Sequence, residues 1–291
     1  MPLLLSLACV GDPQDTAVSE PELEYLFSFA VIADPHISSG LEHQERLAGA
    51  VDWVNQQDVE LVWVVGDIGW NEGLPIARAL LDELTVPYVP IIGDNEVHIG
   101  PSEEAFDQTF ADHYALLASE FPDFQRGAVE VHHPEFDRTV WLQNLSFSHR
   151  GLRWVGLDWN SRDDDALLGE FGHLNDMDGG TLPFLADQLG PLEPLESEDV
   201  LLFSHHPMHL GAFNLAQMDE LVALTGPIQG RVAGAYAGHL HATAQVEVDD
   251  GGYTAFVTDA TWDDDNTVRI VEVWGNGQRF AYEQHLEVVP W

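Results

Sequence analysis

Three aspartates and five histidines, four of the latter candidate metal donors, stand in five short patterns along the chain: Asp34-Pro35-His36, Gly66-Asp67, Gly93-Asp94-Asn95-Glu96, His205-His206-Pro207 and Gly238-His239-Leu240-His241. Asp34, Asp67 and Asp94 offer carboxylates, and His36, His205, His239 and His241 offer imidazoles. That donor set exceeds what one tetrahedral zinc site uses, and a structural zinc site would be expected to recruit cysteine, of which the chain has only Cys9. Two metal ions suit it better. Two cations roughly 3.5–4 Å apart need a shared anionic ligand, for which Asp67 is the natural bridge. Such a pair activates a water and neutralises the oxygens of a phosphoryl group under in-line attack. Imidazole and carboxylate suit divalent or trivalent Mn, Fe, Zn, Co and Ni alike, so the metals are not named by their ligands.

The elements that must position these groups are apolar runs ending at the patterns. Residues Leu26 to Ala33, Val59 to Val65, Val86 to Ile92 and Val200 to Ser204 read as buried strands, each leading into one pattern. In open α/β sheets ligands collect beyond the carboxyl ends of strands, so side chains distant in sequence can converge there. Within Asp34-x-His36 and His239-x-His241 the two-residue spacing returns both side chains to one face of an extended chain. Helices are expected at Leu41 to Asn55, Leu74 to Leu84, Ala105 to Phe121 and Leu182 to Leu189. Further strands are expected at Glu130 to His133, Thr139 to Leu142 and Arg153 to Trp159. After the last pattern come Ala244 to Val248, Tyr253 to Val257, Val268 to Trp274 and Phe280 to Leu286.

The order D-x-H, GD, a G-N-H-[DE]-type loop, H-x-P and GHxH resembles the calcineurin-like metallophosphoesterases, over about residues 26–245. The resemblance implies an α/β fold, a four-layer αββα sandwich of two mixed β-sheets flanked by helices. It would occupy residues 26–291, with the strands of about 249–291 completing the second sheet. It further implies that Asp34, His36 and His241 bind one metal, that Asp94, His205 and His239 bind the other, and that Asp67 bridges them. The third pattern departs from the family. Asp94 stands where the family has an amide ligand, and Asn95 where it has a catalytic histidine. The extra carboxylate should hold cations more tightly while raising the pKa of the bridging water. Asn95 can hydrogen-bond a phosphoryl oxygen but cannot act as an acid, a loss worth about 10²–10⁴-fold for poor leaving groups. His98 and His206 are the nearest candidates for a substitute acid, and a slipped loop would instead make Asn95 the ligand.

Each pattern taken singly is more often a turn, a loop or a capped strand end; it is the ordered set that points to a dinuclear site. The remaining histidines are expected mostly at the surface or satisfied in the core. Asn160 and Arg162 are candidate substrate contacts, Arg162 through its forked donors, although three neighbouring aspartates would neutralise it equally well. Trp70 and Asn71, just after Gly66-Asp67, are a candidate aromatic wall.

With 291 residues and 45% hydrophobic content, the chain can form one large domain. Its 50 acidic residues face 10 basic ones, all arginine, for a formal charge of −40. Displacing counterions from a polynucleotide needs clustered cations, so nucleic acid is not an expected partner. The dispersed acidity suits a solvated surface in high salt. Residues 1–25 read as an apolar segment followed by an acidic linker. There, Leu5-Ser6-Leu7-Ala8-Cys9 resembles a bacterial lipoprotein cleavage box, implying export and a lipid anchor as the only membrane contact. The expected function is that of a metal-dependent phosphoric ester hydrolase, a phosphomonoesterase or small-molecule phosphodiesterase whose nucleophile is a metal-bridging hydroxide. The alternative is a catalytically weak, metal-binding surface lipoprotein.

Overall fold

The computed structural model describes residues 22–38, 40–98, 103–163, 170–190, 199–263, 265–277 and 279–291. The expected lipoprotein-like segment lies outside them, apart from its end: the first strand, β1, begins at Glu24 and runs to Ile32, so the domain starts slightly before residue 26. In chain order the other elements of the first half are α1 (Leu41–Val54), β2 (Leu61–Val65), α2 (Gly73–Leu81), β3 (Tyr88–Ile91), α3 (Asp94–His98), α4 (Glu103–Glu120), β4 (Gln125–Arg126), β5 (Glu130–His133) and β6 (Arg138–Trp141). The second half comprises β7 (Leu145–His149), β8 (Leu152–Leu157), α5 (Thr181–Leu189), β9 (Asp199–Ser204), α6 (Leu215–Thr225), β10 (Val232–Ala237), β11 (Ala244–Val248), β12 (Tyr253–Val257), β13 (Thr267–Gly275) and β14 (Phe280–Val288). Among the described residues, no helix is long and apolar enough to cross a membrane.

The strands form two large mixed sheets, ordered β14-β13-β1-β2-β3 and β11-β12-β10-β9-β8-β7-β4. Alternation along each strand decides which residues meet between the sheets. From the first sheet Phe29 and Trp63 point inward; from the second, Phe147, Trp154, Phe203 and Tyr236 do. The Trp63 ring stacks on Phe203 at 3.9 Å, and Phe29 meets the Trp154 edge at 4.9 Å. Aromatic pairs of this kind add about 0.5–1.5 kcal/mol each beyond the area they bury. On the far side of the first sheet, the helical stripe Leu47, Ala50, Val51 and Val54 of α1 packs with Leu74, Ala77 and Leu81 of α2 and Phe106 and Phe110 of α4. On the far side of the second, Leu185 and Leu189 of α5 and Met218 and Leu221 of α6 cover Val155, Leu157, Val200 and Leu202. The result is the expected four-layer αββα sandwich.

The structure corrects the expectation for the C-terminal strands, which divide between the sheets. β12 lies in the seven-stranded sheet beside β10, whereas β13 pairs antiparallel with β1 and carries β14 as the edge of the five-stranded sheet. The β5–β6 hairpin joins neither sheet and stands apart with its own small cluster of Val131, Val140 and Leu142.

β1, β2 and β3 run parallel, as do β8, β9, β10 and β12, so each set delivers its carboxyl ends to one rim. At that rim the loops after neighbouring strands are tied to each other within each sheet. Gly238 N–H donates to the His205 carbonyl at 3.2 Å, and His36 N–H donates to the Asp67 carbonyl at 2.8 Å.

Candidate dinuclear metal centre

The strand ends bring all seven expected donors into one place. Asp34 and His36 follow β1, Asp67 follows β2, Asp94 opens α3 after β3, His205 follows β9, and His239 and His241 follow β10. They fall into two groups, Asp34, His36, Asp67 and His241, and Asp94, His205 and His239, and within each group one atom per residue lies within 4.8 Å of the others. Asp67 faces both groups. Its Oδ2 is 3.2 Å from His36 Nε2, and its Oδ1 is 3.5 Å from His205 Nε2. In the second group Asp94 Oδ1 lies 2.8 Å from His205 Nε2 and 3.2 Å from His239 Nδ1.

The local backbone is bent to aim these side chains. Asp34, His36, Asp67, His239 and His241 all have φ between 46° and 70°. This left-handed region costs a non-glycine residue on the order of 1 kcal/mol, and such strain persists where the surroundings over-determine it. The two-residue spacing therefore works through consecutive sharp bends, and the extended dipeptide expected from sequence is absent. Gly66 is glycine for two reasons: its φ is 86°, and a Cβ there would fall on the His205 imidazole. At Gly238 a Cβ would strike the Asp34 carboxylate.

Neighbouring groups set the histidine tautomers. His205 Nδ1–H donates to the Val65 carbonyl at 3.1 Å, which aims Nε2 at Asp94 and Asp67. His239 uses the opposite arrangement, with Nε2–H donating to the Glu170 carbonyl at 3.1 Å and Nδ1 turned inward. Asp34 is fully buried and accepts the His239 backbone N–H at 2.9 Å, joining the two groups.

Burial pushes the Asp34 carboxyl well above its ordinary pKa; His205 opposes this, and Asp67 and Asp94 add to it. Burial alone would strip the proton from His205, but Asp67, Asp94 and Asp34 together hold it on. Asp94 is held below the ordinary carboxylate range, because the His205 and His239 imidazoles outweigh its own burial. Buried carboxylates this close cannot all be charged without cations. His36 Nε2 is buried and in no hydrogen bond. Crowded carboxylates, pre-set tautomers and an orphaned imidazole nitrogen are what a pair of metal ions would satisfy, so the residues present fit two ions.

Two contributors are given no role by the sequence patterns, although Glu96 closes the third of them. Glu96 is fully buried and clamps two loops, accepting Gly69 N–H and Gly93 N–H at 2.7 Å each. Burial, with Asp67 nearby, pushes its carboxyl up to about 8. Trp262 lies against three imidazoles, with ring centroids 5.2 Å from His36, 5.3 Å from His43 and 5.3 Å from His241. It follows the last pattern at no signalling distance. Trp70, the expected aromatic wall, meets His36 edge-on at 5.6 Å.

The remaining candidates are placed differently from expectation. Asn95 Nδ2–H donates to Asp67 Oδ2 at 2.7 Å and its backbone N–H donates to Asp67 Oδ1 at 2.9 Å, so its amide is turned to the shared carboxylate. Because Asp94, and not Asn95, meets His205 and His239, the slipped-loop alternative is corrected. His206 is fully buried with its ring 4.3 Å from that of His239, a placement suited to packing His239 and closed to a leaving group. His98 is half-buried, hydrogen-bonded to the Ser161 backbone, and its pKa is lowered by burial. Arg162 makes no free phosphate fork, which corrects the substrate role. Its guanidinium is buried and donates to Glu103 at 2.7 Å, to Asp158 at 2.6 Å and to the Trp141 carbonyl at 2.8 Å. Asn160 is likewise buried, its amide donating to the Ile92 carbonyl at 3.0 Å, so it braces the loop that carries Asp94 and does not face substrate.

The calcineurin-like phosphoesterase family model matches residues 27–243. The chain belongs to that family of hydrolases acting on phosphoester bonds. Its fold is similar to that of a dimetal phosphatase from Danio rerio, with a TM-score of 0.60 at 16% identity, covering 89% of this chain and 99% of that one. It is also similar to the protein TT1561 of Thermus thermophilus, with a TM-score of 0.50 at 10% identity, covering 88% and 98% of the two chains. No curated protein matches the sequence significantly.

Proposed function

We propose that the protein is a metal-dependent hydrolase of small phosphate esters, a phosphomonoesterase or small-molecule phosphodiesterase. The observation that carries this reading is Asp67, a single carboxylate with one oxygen toward His36 and the other toward His205. Asp34, His36 and His241 would hold one ion, Asp94, His205 and His239 the other, and Asp67 both. Bound ions supply a water acidic enough to attack phosphorus near neutral pH and neutralise the charge that develops on the phosphoryl oxygens. The chain's own residues prepare the place. The Val65 and Glu170 carbonyls fix imidazole orientation, Asn95 holds Asp67, and Glu96 locks the two loops that carry Asp67 and Asp94.

A second reading, a metal-binding protein of weak turnover, is favoured by Asn95: the family's acid is replaced by an amide spent on Asp67. One experiment separates the two. Purified protein is loaded in turn with Mn, Fe, Zn, Co and Ni and assayed on aryl phosphate mono- and diesters, with metal content measured alongside. Hydrolysis that needs metal and drops at least about 10³-fold in Asp67→Ala supports the hydrolase. Two ions bound per chain with no turnover on any ester supports the binder.

A further inference from the structure

We infer that a cavity beside the metal centre receives the organic part of the ester, and that this part is an aromatic group carrying no second phosphate, with cationic substituents preferred to anionic ones. The inference rests on the phosphoester reading and narrows its substrate class.

The cavity has a volume of about 410 Å³, room for one ring system, and lies between the turn joining β5 to β6, the segment after β8 and the start of α6. Two links place it next to the second donor group. The Glu170 carbonyl that receives His239 Nε2–H is followed immediately by Phe171, which lines the cavity. His98, one turn beyond Asp94 on α3, bonds the backbone of Ser161, another lining residue. The walls are held in place independently of substrate. His173 N–H donates to the Trp159 carbonyl at 2.7 Å, Gly172 N–H donates to the Ala212 carbonyl at 2.8 Å, and Asn214 caps α6 through a reciprocal bond with Gln217.

The lining sets the chemistry. Phe171 is 50% exposed and Phe136 is partly exposed, its ring stacked on His133 at 4.2 Å. Two aromatic faces at a cavity mouth are matched by a planar ring, which stacks at little entropic cost. The charged lining residues are Glu135 and Asp163, and among the described residues that line it there is no arginine. Arg138 and Arg162, which stand near lining residues in the sequence, are both engaged by Glu103, Arg162 by Asp158 as well. A second phosphate or a carboxylate on the ester would meet like charge there, while a quaternary ammonium over Phe171 or Phe136 would gain a cation–π contact.

The probes are phenyl phosphates carrying a para trimethylammonium or a para carboxylate group, together with the two corresponding phenols. With the full-length, metal-loaded protein, KM for the cationic ester is expected to be about tenfold below that for the anionic one, with similar kcat. Glu135→Gln and Phe171→Ala should erase that ratio. Asp52→Asn, a surface carboxylate on α1, should leave it intact, which separates the cavity from the net charge of the molecule. Equal KM values, or a ratio lost equally in Asp52→Asn, would overturn the inference while leaving the hydrolase reading in place. If no ester is hydrolysed with any metal, the hydrolase reading fails instead. Saturation-transfer NMR on the phenols then decides the inference: contact with the cationic phenol, lost in Phe171→Ala, upholds it, and its absence overturns it.

Discussion

Asn95, beside Asp94, is one of two residues of the third pattern that part from the family pattern. An amide cannot supply a proton, yet it is well used: Nδ2–H and the backbone N–H each take one oxygen of Asp67. Charge-assisted bonds of this kind hold the shared carboxylate in the orientation that reaches both donor groups. Restoring the histidine in Asn95→His should therefore add an acid and remove the amide that holds Asp67. The added acid should raise kcat for alkyl phosphates, whose leaving groups are poor, by about 10²-fold, at the low end of the 10²–10⁴-fold range of general acid catalysis. Aryl phosphates with good leaving groups should gain little. The check is a leaving-group series: wild type and Asn95→His are compared by the slope of log kcat against leaving-group pKa. A steeper slope in the variant would show that Asn95 matters for holding Asp67 and that no acid has been added.

The unit that builds the centre is the strand end with its bent loop, and Glu96 is the fastener between two of these loops. Its carboxyl is held protonated up to about 8 by burial, with Asp67 adding to the effect. The unfolded chain releases that proton near the ordinary Glu value of 4.5. In the metal-free protein the folded state thus keeps a proton that the unfolded state loses across this window, so Glu96's contribution is full below about pH 4.5 and is lost as pH rises toward 8. Glu96→Gln turns an amide donor toward a backbone N–H, a buried mismatch of about 1–3 kcal/mol. After chelation, the melting temperature of the variant should lie several degrees below wild type near pH 5, and the gap should narrow by pH 8. Taking the difference cancels the titration of the histidines. A gap that widens with pH would reverse the sign assigned to Glu96. The same scale shows what the sequence can tell. Strand ends are legible because buried runs stop at Asp, Gly and His, and the α1 and α4 stripes are legible by their three- and four-residue spacing. α3 is not, being five residues long, and α6 is hidden although an Asn214–Gln217 capping box opens it. Strand partnership is also hidden: period-two alternation marks β13 as a strand but cannot say that Val271 lies against Phe29. Arg162 misleads because its partner Glu103 is remote in sequence, and an arginine among acids looks the same whether it binds phosphate or closes a buried ion network.

For the whole molecule the governing quantity is charge. A formal −40 from 50 acidic and 10 basic residues leaves few cations, and those present are spent locally. Arg78 pairs with Asp82 and Asp112, Arg126 with Asp107, Arg150 with Glu60, and Arg153 with Asp123. What remains is a surface of mutually repelling carboxylates, a cost that falls as the Debye length shrinks from about 10 Å at 0.1 M salt to about 3 Å at 1 M. The exposed ion pairs weaken over the same range, but each contributes at most about 1 kcal/mol, so relief of repulsion should dominate. The melting temperature is therefore expected to rise as potassium chloride is taken from about 0.1 to 2 M, with most of the rise below about 1 M, where screening changes fastest. Sodium and potassium chloride should act alike, since screening depends on ionic strength, whereas sulfate should add a further increment by exclusion from the protein surface. A melting temperature that fell steadily with added chloride would mean that the arginine pairs outweigh the excess of acid. The acidic surface would then need an explanation other than life in salt.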